Sequence, residues 1–337
     1  MTALALTDTQ LDLLAAAGGA APSLHNSQPW RFCPTADRHG LQVRIDSSRA
    51  VPITDPDGRA LHLSVGAAVF NLRVAAAQLG RTATVRLLPD PADPQLAAEL
   101  DLSAPAEDRR PFGPDLYPAI AHRHSSRRPF SNRDIPEQIL GDLVDAARAE
   151  GVDLAVLEEY GVRRVLELTT EAELRTAADL ARQAETRSWL RPEGPTADGM
   201  PPAVLGPQDH DARVPVRSFT GHPPTRPAPP TERFEPLPQL ATLATRTDHP
   251  ADWLRTGQAM ERVWLLATVH GVRASVLHQA VEWPDTRWRL REPEDGPAHV
   301  QLVLRLGYGP PGTPSPRRPV GEILDDTHPA EPHLPTG

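Results

Sequence analysis

Residues Pro22 to Phe32 read PSLHNSQPWRF, and the reading of this stretch decides the fold. It directly follows an apolar helical run that stops at Gly18-Gly19, and it joins a turn-forming proline to small polar side chains and the start of an apolar strand. Ser23, Asn26, Ser27 and Gln28 offer donors and acceptors suited to a flat polar heterocycle, while Pro29 before Trp30 forces an extended exit. Taken alone, the stretch also reads as a surface loop with ordinary turn chemistry.

Upstream, Thr7 and Gln10 form a capping box for a helix over Asp8–Ala17 with Leu11, Leu13 and Leu14 inward. Downstream, strands are expected at Gln28–Cys33 and Leu41–Asp46, an alanine-rich helix at Ala60–Leu79 ended by Gly80, and a strand at Thr82–Leu88. Pro89–Pro118, with a short strand near Ala98–Leu102, is the expected join between two halves, 1–110 and 111–330. A short helix then leads into Arg123-His124-Ser125-Ser126-Arg127-Arg128-Pro129-Phe130. Asp134 is the expected cap, with Pro136 in the first turn, of a helix to Ala149. Val152–Leu157 reads as a strand, Gly161–Thr186 as one long charged helix, and His299–Leu306 as the last strand.

The segment from 191 to 238 differs in kind, being dense in proline and glycine and too long for a simple connection. It reads as a lid anchored by Trp189 and Phe219, or as a floppy insertion. An internal repeat supports two halves. Gly66-Ala67-Ala68 leading to Gly80 has the same layout as Gly257-Gln258-Ala259 leading to Gly271, and small residues there let helices approach closely.

The 337 residues are enough for two domains or one with a large core, and the excess of 39 prolines points to long ordered loops. A formal charge of −9 argues against nucleic acid and anionic membranes as partners. Cys33 is the single cysteine, so an intrachain disulfide is excluded, and the scattered histidines lack metal-ligand spacing, so no metal is expected. The N-terminus has no basic region before an apolar run, and a cytoplasmic protein is expected.

The PSxxNSQPW loop resembles the flavin-contacting loop of FMN-dependent nitroreductases, and Arg123–Phe130 matches the R-x-S-x-R-x-x-F segment of that superfamily. In ordinary members the arginine-serine motif comes first. The reversed order here resembles the Acg-type branch, in which two nitroreductase-like halves are fused. The resemblance implies an α+β fold with mainly antiparallel sheet flanked by helices, two pseudo-symmetric halves, and a monomer that mimics a dimer. It also implies FMN as cofactor, with NAD(P)H and a nitro-aromatic or quinone-like acceptor as small-molecule partners. The alternative it carries is flavin storage under a lid with little turnover.

The resemblance assigns cofactor-binding residues and no catalytic acid or base. Arg123, Arg127 and Arg317, with Ser125, match the phosphate-binding positions, and arginine suits that role as a fixed fork of charge-assisted donors. Ser315 stands where a lysine is usual, which weakens the expected phosphate site. Asn26 and Gln28 match ring or ribityl contacts, Ser23 the pyrimidine end, and His124 a backbone contact. A donor to flavin N5 maps onto the backbone of Ser275, Val276 or Leu277. Arg128 and Arg318 read as surface charges, and Trp30 as a core aromatic.

Overall fold

The computed structural model describes residues 4–108, 110–219, 230–291 and 298–326. Helix α1 (Asp8–Gly19) opens with the expected capping box, in which Gln10 N–H donates to Thr7 Oγ1 and Thr7 N–H to Gln10 Oε1. It leads through the loop into β1 (Trp30–Pro34), β2 (Gly40–Ile45), helix α2 (Arg59–Gln78), β3 (Arg81–Leu87) and β4 (Leu96–Pro105). These strands form one antiparallel sheet in the order β1-β2-β4-β3. β4 is ten residues long and lies inside the sheet, so the proline-rich stretch expected as a join contributes a full central strand.

Helices α3 (Tyr117–His122) and α4 (Glu137–Arg148) lead into β5 (Asp153–Val156), α5 (Glu159–Ala178) and α6 (Leu180–Ser188). After the two-residue strands β6 (Gln208–Asp209) and β7 (Thr231–Glu232) come β8 (Gln239–Thr245), α7 (Pro250–Val269), β9 (Arg273–Val276), α8 (Pro284–Arg289), β10 (His299–Gly307) and α9 (Val320–Ile323). The second sheet has the order β5-β8-β10-β9. Each half thus repeats one plan, strand, strand, long helix, strand, strand, with the last strand inserted in the interior of its sheet. The antiparallel strands are divided between two sheets, one per half.

The halves meet along α2 and α7, where the repeated glycines touch. A Cβ on Gly66 would lie 2.2 Å from the Leu254 carbonyl oxygen, and one on Gly257 would lie 2.1 Å from the Leu63 carbonyl oxygen. The two contacts are reciprocal, so the helices cross at a local twofold axis with no room for a side chain. α2 is long and apolar enough to cross a membrane, but most of its surface is buried inside the protein. One continuous core carries Trp30, Phe70, Leu72 and Trp264 across both halves.

Two helix boundaries differ from the sequence reading. Pro136 itself, at ψ 140°, is the cap of α4, because a proline pushes the preceding residue into extended backbone and delays the helix; Asp134 lies outside it. The single helix expected over Gly161–Thr186 is broken at Asp179, whose side chain accepts the N–H groups of Ala181 and Arg182 and starts α6 anew. Part of the expected lid, residues 220–229, lies outside the described residues.

The end of the chain returns to the first half. Leu324 bridges Phe32 in parallel and Asp325 N–H donates to the Phe32 carbonyl at 2.8 Å. This crossing sets Ser315 to Arg318 against the Pro22–Phe32 loop.

Candidate functional site

A cleft enclosing about 990 Å³, its mouth included, opens where the loop, α2, α7, β9 and the 200–219 segment converge. Its walls are largely apolar, with Leu63, Met260, Trp264 and Leu302 on the body side. It runs into a smaller polar hollow of about 420 Å³ lined by Arg123, His124, Arg127, Ser315 and Arg317. Ser23, His25, Ser125 and Arg127 border both spaces, so they form one site with an apolar and a cationic end. Its size and lining suit a planar organic cofactor with an anionic tail.

The cationic end is under-neutralised. Arg123 is buried against the Trp264 ring, 4.8 Å from its centroid, and sits 3.1 Å from Glu261 without hydrogen-bond alignment. Burial lowers the Arg127 pKa to about 10 and that of Arg317 to about 9, the latter aided by Arg123. Among the described residues, no carboxylate is ion-paired with Arg127 or Arg317. Arg127 donates to the Val204 carbonyl, Arg317 to Asn26 Oδ1 and the Ala20 carbonyl, and Arg317 Nε has no partner. Glu261, beside Arg123, is fully buried and its pKa is pushed up to about 7 by desolvation, with Arg123 opposing. Arg123 and Arg317 act on Glu261 while Arg127 has a second cation, Arg217, as its neighbour, so this end holds a net positive charge, which an incoming dianion would neutralise. His124 is held neutral, its pKa lowered to about 4 by burial and by Arg123 and Arg317.

Two loop residues expected at the site have other work. Asn26 donates to the carbonyls of Gly199 and Pro316 and accepts from Arg317. Gln28 donates to Asn26 and Ala197 carbonyls, accepts from Arg318 N–H, and is fully buried. Their amides are spent on pinning the loop to the lid and the C-terminal segment. Gln28 therefore borders neither space, whereas Asn26 borders the polar hollow. Ser23 does border the cleft and accepts from Gln28 N–H. His25, Asn26 and Gln28 all have positive φ, near 50°, so the loop is a strained turn held by these bonds. Arg318, expected at the surface, is buried against the carbonyls of Gln28 and Trp30, while Arg128 remains exposed beside Glu232. Trp30 is a core aromatic as expected.

β9 supplies one free edge. Leu277 N–H is used on the Val303 carbonyl, so in the alternating antiparallel pattern the Val276 N–H points away from β10. Ala274, on the same side as Val276, gives its carbonyl to Ser126 N–H. Val276 borders the cleft with its amide outside the sheet pairing, whereas the Leu277 amide is used within the sheet.

The segment after α6 covers the cleft. Met200, Val214, Val216 and Phe219 line it from above, and Met200, Val204 and Phe219 make a small core of their own. Gly199 N–H donates to the Asn26 carbonyl, Asp198 pairs with Arg49 and Arg191, and Gln279 donates to the Pro215 carbonyl at 3.0 Å. Glu261, Trp264, Arg217 and His278 were not read from the sequence as parts of the site. An acid within the apolar run Ala259-Met260-Glu261-Arg262-Val263-Trp264 was the available signal.

Comparison with known proteins gives the following. No family model matches the chain. "Putative NAD(P)H nitroreductase Rv3131" of Mycobacterium tuberculosis is 32% identical over 317 residues, covering 90% of this chain and 88% of that protein. "Putative NAD(P)H nitroreductase acg" of the same organism is 30% identical, covering 90% of this chain and 92% of its own. Among solved structures, one titled as a "putative nitroreductase" from Anabaena variabilis covers 90% of both chains at 11% identity with a TM-score of 0.48.

Proposed function

The chain belongs to the nitroreductase family of these relatives, the Acg type, and from that premise we propose that it binds FMN in the composite cleft and acts as an NAD(P)H-dependent oxidoreductase. The acceptor would be a nitro-aromatic or quinone-like molecule. The observation that carries the reading is the cluster of buried Arg123 with half-buried Arg127 and Arg317, short of negative charge, at one end of an apolar cleft.

In this reading Arg127 and Arg317 hold the phosphate directly, with Arg123 behind them fixed by Trp264 and Glu261, and with Ser125 and His124 at the rim. Arg317 Nε, buried without a partner, is the donor most in need of an anion. The apolar walls at Leu63, Met260 and Trp264 exclude water from the ring end, and the Val276 N–H offers a preorganised donor there. Bound flavin would supply a hydride-accepting nitrogen, so the protein needs position and electrostatics rather than a catalytic side chain. The site draws on both halves in one chain, as a monomer standing in for a dimer would require.

A second reading, flavin sequestration, is favoured by the lid, whose bonds to Asn26, Gln28, Arg49 and Gln279 close the apolar end. Anaerobic visible spectra before and after NADPH or NADH separate the two. Loss of the flavin band in proportion to nicotinamide supports the reductase. Bleaching by dithionite but not by nicotinamide supports sequestration, and a protein that neither carries nor takes up FMN overturns both.

A further inference from the structure

The cleft carries a second set of unspent nitrogens, on Arg217 of the lid and on His25 of the loop, the latter shared with the Arg127 end. Arg217, in the lid, borders the cleft and its side chain is only 10% exposed. One terminal nitrogen, Nη2, pairs with Glu282, while the other, Nη1, is buried with no acceptor in the protein. His25 is 5% exposed, held at φ 52°, and its Nε2 is likewise buried without a partner. Its ring meets Phe219 edge-on at 6.3 Å. His278 borders the same space on the far side, its ring nitrogen 3.4 Å from Arg59. Burial keeps both imidazoles neutral, aided at His25 by Arg217 and Arg127 and at His278 by Arg59 and Arg217.

The acids behind Arg217 are Glu282, which also lies 3.6 Å from Arg182, and Glu173, which takes the Ser218 N–H at 2.6 Å. Neither borders the cleft, so among the described residues that line it the lid face presents donors, beneath the apolar walls of Val214, Val216 and Phe219. A buried donor left unmade is costly, and a ligand that completes it recovers that cost. We propose that this face recognises a planar aromatic ligand bearing a carboxylate, its anionic oxygen held by Arg217 Nη1 and His25 Nε2. The inference rests on the flavin reading above and names the substrate class of the same cleft.

The test compares 4-nitrobenzoate with the isosteric, uncharged 4-nitrobenzamide on the flavin-loaded protein. Dissociation constants come from flavin absorbance changes, and flavin content is measured by fluorescence of the released cofactor. A charge-assisted contact predicts that the carboxylate binds ~10–100-fold tighter than the amide. Arg217→Gln brings the ratio towards one, and Arg217→Lys, which keeps charge without the fork, retains part of it. Equal binding by the unaltered protein overturns the proposal. So does a ratio unchanged in Arg217→Gln, or an Arg217→Gln effect confined to flavin content, which would assign the residue to the cofactor. A protein that takes up no FMN sinks the flavin reading instead, so the two failures are distinguishable.

Discussion

The two flanks of the α2–α7 crossing are related by the same axis, yet one is hollow and the other is filled. On the hollow flank Trp264 of α7 borders the cleft and Arg123 stacks on its ring. At the corresponding place on α2 stands Arg73, with its guanidinium 5.2 Å from the centroids of both Phe70 and Phe112. Here the long helix supplies the guanidinium, where on the hollow flank it supplies the aromatic ring. On this flank the acid is Glu150, paired with both Arg73 and Arg262 at 2.5 and 2.7 Å, so each guanidinium has a carboxylate oxygen and Phe112 packs beside them. The difference is one of pairing: on the filled flank each guanidinium has a carboxylate oxygen within 2.7 Å, whereas on the hollow flank Arg127 and Arg317 have none among the described residues, and a ligand is what would supply it.

The largest expected effect is on the hollow flank. Replacing Arg123 and Arg127 together by alanine should weaken FMN binding ~10²–10⁴-fold, as two charge-assisted contacts are lost. Equilibrium dialysis against FMN reads this, and retention as tight as in the unaltered protein would remove the phosphate end from the comparison. At the shared axis, Gly66→Ala and Gly257→Ala should each destabilise by ~3 kcal/mol, since either Cβ meets a backbone oxygen at about 2 Å. Urea unfolding should find the two costs alike; a large inequality would break the twofold description of the crossing.

On the filled flank, Glu150→Ala strands two arginines and should cost ~2 kcal/mol, discounted for their partial exposure, without changing FMN affinity. Loss of flavin in that variant would show that the flanks are coupled. The smallest effect is a matter of pH. Glu261 has its folded pKa raised from 4.5 to about 7, so unfolding releases its proton between those values. Its stabilisation is complete below 4.5 and is lost as pH rises towards 7. Glu261→Gln should flatten stability across that window, while a variant at Glu150 should not.

Much of this architecture is written locally. The Thr7–Gln10 box, the glycine pair at 66 and 257, and most strands follow from residues close in sequence, because caps and close helix approach leave short-range signatures. The break at Asp179 was hidden because the residues on both sides favour helix, and a capping aspartate inside such a run looks like one more surface acid. The arginines that line the polar hollow stand at the positions the family pattern singles out. The spent state of Asn26 and Gln28 was not, since their partners Gly199, Ala197 and Pro316 are between about 170 and 290 residues away. The same holds for Glu261, whose role depends on Arg123 reaching it from another element.

Arg317 reaches the site from the far end of the chain, fixed to Asn26 and Ala20 of the first loop by the segment that closes on Phe32. In the order of synthesis the loop precedes this arginine by 291 residues, from Asn26 to Arg317. The anion-binding end is therefore incomplete until Arg317 has been made, and loading of the site belongs after that point.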